Sequence, residues 1–411
     1  MRKTTNRAIE LLRSSFFFIK LLRAIRKTGL VAERRNALVV YVVGTSRLIE
    51  KPLCLFVKGP SGVGKNFVTD NVLGFLPSSE VQQLTSSSTR SWNYRGKQLA
   101  HKVVYIKERN EEAGSVHPTR LLISERGLVH VVTVKKRGRF VTERRVTKGP
   151  ISSISTTTQD RVEVDDETRH ISVWLDETPD QTTRIMEAAV YNQKGLKVGD
   201  RKVWHKVQQL IQKRAALSIE FPDWFKNIVP YVRSDNLWAR RYFPAFLQAC
   251  RTVALIRSFC RKQRMGRKAR RIIVRFSDFA VTALIFNPVF EHSIDKADDQ
   301  DLETRHYVDR LSFRKGGNGV RANDLADEKD ISADRAYGLL RKAANAGTIF
   351  RSNQPSKANL KLYLPAKPRP FLPDPAEVFQ KLEGLPERVR FVHPLTGERV
   401  IYSRRGSDKE D

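Results

Sequence analysis

The sequence predicts an α/β fold with a parallel sheet in its core, then a helical region, then a C-terminal winged helix-turn-helix. Three observations lead there. Short apolar runs alternate with helical periodicity over the first half of the chain. Apolar residues then recur at helical spacing from about 179 to 285. Helix, turn, helix and hairpin signals follow one another between 298 and 364.

Taken in order, residues 1–35 read as a basic amphipathic helical region whose apolar side is Leu11, Leu12, Ile19, Leu21, Leu22 and Ile25. Residues 36–45 continue as helix or buried strand. A buried strand at 53–57 leads into a glycine-rich loop and then a helix over 65–75. Residues 101–106 form a second strand. Alternating apolar and polar residues at 128–134 and 140–146 flank Lys135-Lys136-Arg137-Gly138-Arg139, a hairpin with a basic tip. Strands at 151–155 and 170–174 enclose an acidic loop. The division that follows is 1–35 N-terminal, 36–178 α/β core, 179–290 α-helical domain, 291–365 winged helix and 366–411 tail. Proline and charge mark the tail as extended or poorly ordered chain.

Composition narrows the classes. In 411 residues, 75 Lys and Arg face 44 Asp and Glu, a net charge of +31, and such a surface attracts polyanions, nucleic acid above all. Cys54, Cys250 and Cys260 are too scattered for a disulfide framework or a zinc ribbon, and they suit a reducing cytoplasm. The apolar run at 16–19 is cut by Lys20 and Arg23. It is neither a signal peptide nor a span of about 20 apolar residues, so no membrane is expected.

The motif with the strongest chemistry is Gly59-Pro60-Ser61-Gly62-Val63-Gly64-Lys65-Asn66, set between a strand and a helix. It matches the phosphate-binding loop pattern up to its last position. Glycines let consecutive N–H groups turn toward a phosphate, the following helix adds its positive end, and Lys65 reaches the outer phosphates of ATP. Asn66 stands where a Ser or Thr hydroxyl normally meets Mg²⁺, and an amide oxygen is a longer ligand at a different angle. Glu108 ends the second strand as the expected catalytic acid and a second metal-associated group, with Glu111 and Glu112 nearby. Lys107 stands where the commonest form of this motif has Asp.

These residues resemble the AAA+ superfamily and, more narrowly, the helicase-like ATPases of bacterial phages, plasmids and integrated elements, which are related to minichromosome-maintenance helicases. Arg47-Leu48-Ile49-Glu50-Lys51-Pro52-Leu53 before the loop carries the resemblance, together with Gly149-Pro150-Ile151-Ser152-Ser153-Ile154-Ser155-Thr156-Thr157-Thr158, Glu167-Thr168-Arg169-His170-Ile171 and Arg240-Arg241-Tyr242-Phe243-Pro244. Their order and spacing match over roughly 30–365. The resemblance implies that Thr156 or Thr157 is a polar sensor and that Arg169 is an arginine finger serving a neighbouring subunit. It implies that Arg240 or Arg241 is a second sensor in the lid. It implies a hexamer-like homo-oligomeric ring, with Lys135, Lys136, Arg137 and Arg139 gripping single-stranded DNA in the channel.

In the C-terminal module, helices at 321–326 and 332–346 precede a hairpin at 349–363. Ala333, Ala336, Leu339, Leu340 and Ala343 would pack it. Arg335, Tyr337, Arg341 and Lys342 would face a DNA groove, with Arg351, Lys357 and Lys361 on the wing. The leading expectation is an ATP-dependent DNA helicase or translocase of a mobile element. An AAA+ loader or regulator that binds ATP without unwinding is the second. A non-enzymatic DNA-binding protein with a degenerate core is the third. A primase is disfavoured, since three scattered cysteines cannot build its zinc site.

Overall fold

The structure is a computed structural model that describes residues 2–84, 99–109, 116–125, 127–136, 139–159, 162–191, 201–234, 238–261, 271–294, 299–316, 318–345, 348–352, 361–365 and 370–404. The chain divides into two compact units, Met1–Phe290 with Phe371–Asp411, and Glu291–Pro370. Glu111, Glu112, Arg137 and Lys357 lie outside the described residues.

The first unit opens with helices α1 (Arg2–Arg13), α2 (Phe17–Arg26) and α3 (Arg34–Ser46). The single amphipathic segment read from the sequence is two helices, because the chain turns at Ser15 and Phe16. Its apolar side is core: Leu12, Ile19, Leu21, Leu22 and Ile25 are all buried. Every residue of α3 from Ala37 to Ser46 is buried, so it has no solvent face and its periodicity is weak. That is why helix and buried strand are hard to tell apart there.

Strand β1 (Leu55–Lys58) is buried along its length and runs into the glycine loop and helix α4 (Lys65–Leu73). Strands β2 (Val81–Leu84) and β3 (Val103–Ile106) follow, then helix α5 (Val116–Ser124) and a long antiparallel ribbon of β4 (Gly127–Lys136) and β5 (Arg139–Lys148). Strand β6 (Ser152–Thr157), a short helix α6 (Val164–Glu167) and strand β7 (Ile171–Trp174) complete the α/β part. The five core strands form one parallel sheet in the order β2-β3-β6-β1-β7. Runs such as Leu-Phe-Val and Val-Val-Tyr-Ile suit it, because a parallel sheet is covered on both faces. The register sets Val57 beside Thr156 and Ile106 beside Ser155, so the ends of β1, β6 and β3 come out together at the carboxyl edge.

Residues 179–290 belong to the same compact unit. They hold helices α7 (Pro179–Tyr191) and α8 (Arg201–Arg214), strand β8 (Ser218–Glu220), helix α9 (Ala239–Arg257), strand β9 (Arg271–Ile273) and all but the last turn of helix α10 (Phe276–Ile294). The β8–β9 pair is parallel, an element that the helical pattern of this region conceals. Phe246, Phe279, Phe286 and Phe290 form a buried aromatic cluster among these helices.

The second unit contains helix α11 (Asp299–Arg314), helix α12 (Ala322–Lys329), helix α13 (Ala333–Asn345) and an antiparallel pair β10 (Ile349–Arg351) and β11 (Tyr363–Pro365). Val308, Leu311, Leu325, Leu339, Leu340, Ile349 and Tyr363 make its core. Asp330 adopts the left-handed conformation that ends α12, and Ser332 caps α13 by accepting from Arg335 N at 3.3 Å. Of the expected packing positions, Ala336, Leu339, Leu340 and Ala343 are buried, whereas Ala333 is exposed on the first turn.

The chain after Pro370 corrects the expectation of extended or poorly ordered tail. Helix α14 (Pro375–Lys381) and the hairpin of β12 (Arg388–Val392) and β13 (Arg399–Ser403) belong to the first unit. Phe371 packs on Phe290 at 5.5 Å between ring centroids, and Phe379 packs on Phe276 at 5.3 Å. A few widely spaced aromatic side chains anchor the segment, and the proline-rich composition masks them.

Candidate active site

At the carboxyl edge of the sheet, Gly59, Gly62 and Gly64 all have positive φ, conformations that a side chain resists. A Cβ at Gly59 would also come within 3.0 Å of Val63. The loop therefore needs its glycines for its shape. Lys65 opens α4 and is buried, and its Nζ donates to the carbonyls of Gly59 and Pro60, each at 2.6 Å. Burial pulls its pKa down while the nearby Glu108 charge raises it.

Asn66 is the hub of the cluster. Its Nδ2 donates to Glu108 Oε1 at 3.2 Å, and its Oδ1 accepts from the hydroxyls of Thr156 at 2.8 Å and Tyr105 at 3.3 Å. Glu108 N donates to Thr156 Oγ1 at 2.9 Å, and Arg109 N donates to the Thr156 carbonyl at 2.8 Å. These bonds hold Glu108 at φ +51°, a strained region for a residue with a side chain. Of the two candidate threonines, Thr156 joins the cluster. The Thr157 hydroxyl instead accepts from Gln159 N at 3.1 Å, since neighbouring residues of a strand face opposite ways. Lys107 turns away to pair with Asp70 at 2.8 Å.

Behind this edge lie ionic contacts that carry no sequence signal. Lys58, the last residue of β1, is buried and reaches both carboxylate oxygens of Glu167 at 2.8 and 2.9 Å. Ser172 Oγ also donates to Glu167 at 2.8 Å. Arg109 pairs with buried Asp166, and Arg120 reaches Asp166 at 2.5 Å. Both carboxylates sit on α6 or directly beside Arg169's turn, so β1 and the end of β3 are tied to the segment 166–170. Partners lie 109 and 57 residues apart, so no local pattern announces them. His170 is buried flat against Phe56, 4.0 Å between ring centroids, and burial drives its pKa down to about 3.

The remaining candidate residues stand elsewhere. Arg169 precedes β7, whose first residue pairs with Leu55 at the amino end of β1, so it does not join the Lys65–Glu108 cluster. Its guanidinium donates to the Asp165 carbonyl. Arg240 and Arg241 are exposed on the first turn of α9, and no hydrogen bond among the described residues links them to the glycine loop. Lys135 and Lys136 sit opposite Phe140 and Arg139 at the end of the β4–β5 ribbon. Arg139 is exposed, and so is Phe140 at 76%.

In the second unit Arg335, Arg341 and Lys342 are exposed on α13. Tyr337 accepts from Lys361 Nζ at 2.6 Å, which lowers the phenol's pKa. Arg351 is exposed on β10.

Among the described residues no helix is long and apolar enough to cross a membrane. Comparison with protein-family models and with curated proteins finds no match to this chain.

Proposed function

We propose that this chain is an ATP-dependent motor on DNA, a helicase or translocase of the mobile-element AAA+ type, working as a ring. The observation that carries the reading is the convergence of the glycine loop, Lys65, Glu108 and the Thr156 hydroxyl at neighbouring strand ends of one parallel sheet. Ligands of open α/β sheets bind outside the carboxyl ends of the strands. In this reading the loop amides and Lys65 hold the phosphates of ATP, and Lys65 exchanges the Gly59 and Pro60 carbonyls for phosphate oxygens. Glu108 and Thr156 orient the attacking water. Asn66 and Glu108 are the oxygen donors that fit Mg²⁺, which prefers one or two protein ligands beside substrate phosphates. When bound, the ion neutralises charge developing on the transferred phosphoryl group.

Arg169, set apart from its own glycine loop, suits a role toward a neighbouring copy. The basic ribbon tip and the second unit, with its helix–turn–helix–hairpin order, supply cations for strand and duplex. The measurement that tests this reading is ATP hydrolysis with and without single-stranded DNA, beside strand displacement. DNA-stimulated hydrolysis that Lys65→Ala abolishes is expected. An absence of stimulation overturns the motor.

A second reading, an AAA+ loader or regulator that assembles on DNA with ATP but does not unwind, is favoured by one observation. Asn66 Oδ1 already accepts two hydroxyls, and its amide holds Glu108, so the resting arrangement restrains both metal ligation and the acid. Hydrolysis without strand displacement selects this reading.

A further inference from the structure

Helix α2 has two faces with different uses. Phe17, Phe18, Ile19, Leu21, Leu22 and Ile25 are buried in the core. Lys20, Arg23 and Lys27 are exposed at the i, i+3, i+7 spacing of one stripe. That stripe borders a cavity of about 200 Å³ against α1 and α8, whose other walls include Arg7, Leu11 and Trp204. Among the described residues no Asp or Glu lines it. Arg23 and Lys27 also border a second concavity of about 1050 Å³, to which Arg26, Arg34 and Arg184 contribute. Its carboxylates are Glu33 and Glu187. Glu33 is occupied already, accepting from Asn36 Nδ2 at 2.7 Å and from Asp176 N at 2.9 Å.

We propose that this concave basic surface along α2 binds the phosphate backbone of nucleic acid, as a contact separate from both the β4–β5 ribbon and the second unit. Like charges at helical spacing are mildly destabilising in a free helix. Gathering them on a wall whose smaller cavity has no carboxylate among its described lining residues favours an anionic occupant. The stripe from Lys20 to Lys27 extends about 10 Å along the helix, the rise of several nucleotides, so it matches a polyanion better than a single phosphate. A membrane surface is the other polyanion of this kind, but an amphipathic helix needs a free apolar face to lie in one, and the core of the protein uses that face here.

The test uses the full chain with a fluorescein-labelled single strand and the matching duplex, titrated at several salt concentrations. The neutral variant Lys20→Gln/Arg23→Gln/Lys27→Gln is compared with the charge-keeping variant Lys20→Arg/Arg23→Lys/Lys27→Arg. All three positions are exposed, and the thermal melt of each variant verifies that the fold is kept. The neutral variant should bind about ten-fold more weakly or worse, with a log–log salt slope smaller by about 2–3, while the charge-keeping variant binds as the parent does. Parental affinity and slope in the neutral variant overturn the proposal. So does stronger binding of the parent to phosphatidylserine vesicles than to either nucleic acid. ATP hydrolysis does not enter these readouts, so the outcome is independent of the ATPase reading.

Discussion

The carboxyl edge of the sheet and the β4–β5 ribbon both present cations, and they hold them on different terms. At and just behind the sheet edge the groups of the cluster are held by partners: Lys65 by two carbonyls, Asn66 by Glu108, Thr156 and Tyr105, and Lys58 by Glu167. On the ribbon, Val129, Val131, Phe140 and Val146 occupy one face in register, and all four are exposed, Val131 at 69%. A site that must place a few atoms within tenths of an ångström needs a braced surround. A surface that grips a flexible polymer of varied sequence needs exposed cations and rings instead. If the ribbon is the strand-gripping surface proposed above, the two regions answer differently to substitution, in stability at the edge and in binding at the ribbon.

The sharpest way to break this contrast is at the buried ion pair. Glu167→Ala strands the Lys58 charge and should cost about 3–5 kcal/mol in urea unfolding, whereas Lys58→Met/Glu167→Leu should recover most of that. Equal losses in both variants would mean that the pair is not what braces the edge.

His170 offers a pH test of the same bracing. Its folded pKa of about 3 lies below the ordinary 6.5, so folding favours the neutral ring. Its contribution is fully present above pH 6.5 and is lost as the pH falls toward 3, at up to about 1.4 kcal/mol per pH unit. His170→Phe should flatten the acid limb of a stability–pH profile. An unchanged slope would put the acid sensitivity elsewhere.

On the ribbon the signs reverse. Phe140→Ala should leave the melting temperature unchanged and weaken single-stranded DNA binding by about 1–3 kcal/mol, through the loss of a stacking surface. A destabilised fold with intact binding would make Phe140 part of the core of the protein's working form.

The smallest effect is the most informative about rate. Asn66→Thr puts a hydroxyl where Mg²⁺ is proposed to bind and releases Glu108, so hydrolysis should rise about ten-fold, or about 1.4 kcal/mol in barrier, with a lower Mg²⁺ optimum. A fall in rate would show that the Asn66–Glu108 bond positions the acid productively.

Much of this edge was legible in the sequence because the information is local. The glycine loop is one contiguous stretch between a buried strand and a helix, and Glu108 comes one residue after an apolar run. What was not legible depends on register and distance. Choosing Thr156 over Thr157 requires knowing that Val57 lies beside Thr156. The pairing of Lys58 with Glu167 and of Arg109 with Asp166 joins segments far apart in the chain. The order after Pro370 was hidden for another reason. Proline and charge dominate its composition, while Phe371, Phe379 and Phe391 fix its position.

The proposed ATPase places hydrolysis at the braced sheet edge, driven by DNA. It is tested most directly by the steady-state rate of phosphate release from ATP, measured on the parent and on Lys65→Ala, each with and without single-stranded DNA. Hydrolysis by the parent is expected, with stimulation by the strand and a loss of about 100-fold or more in the variant. A parent that releases no phosphate above background, or a Lys65→Ala protein as active as the parent, would rule out ATP hydrolysis at this edge.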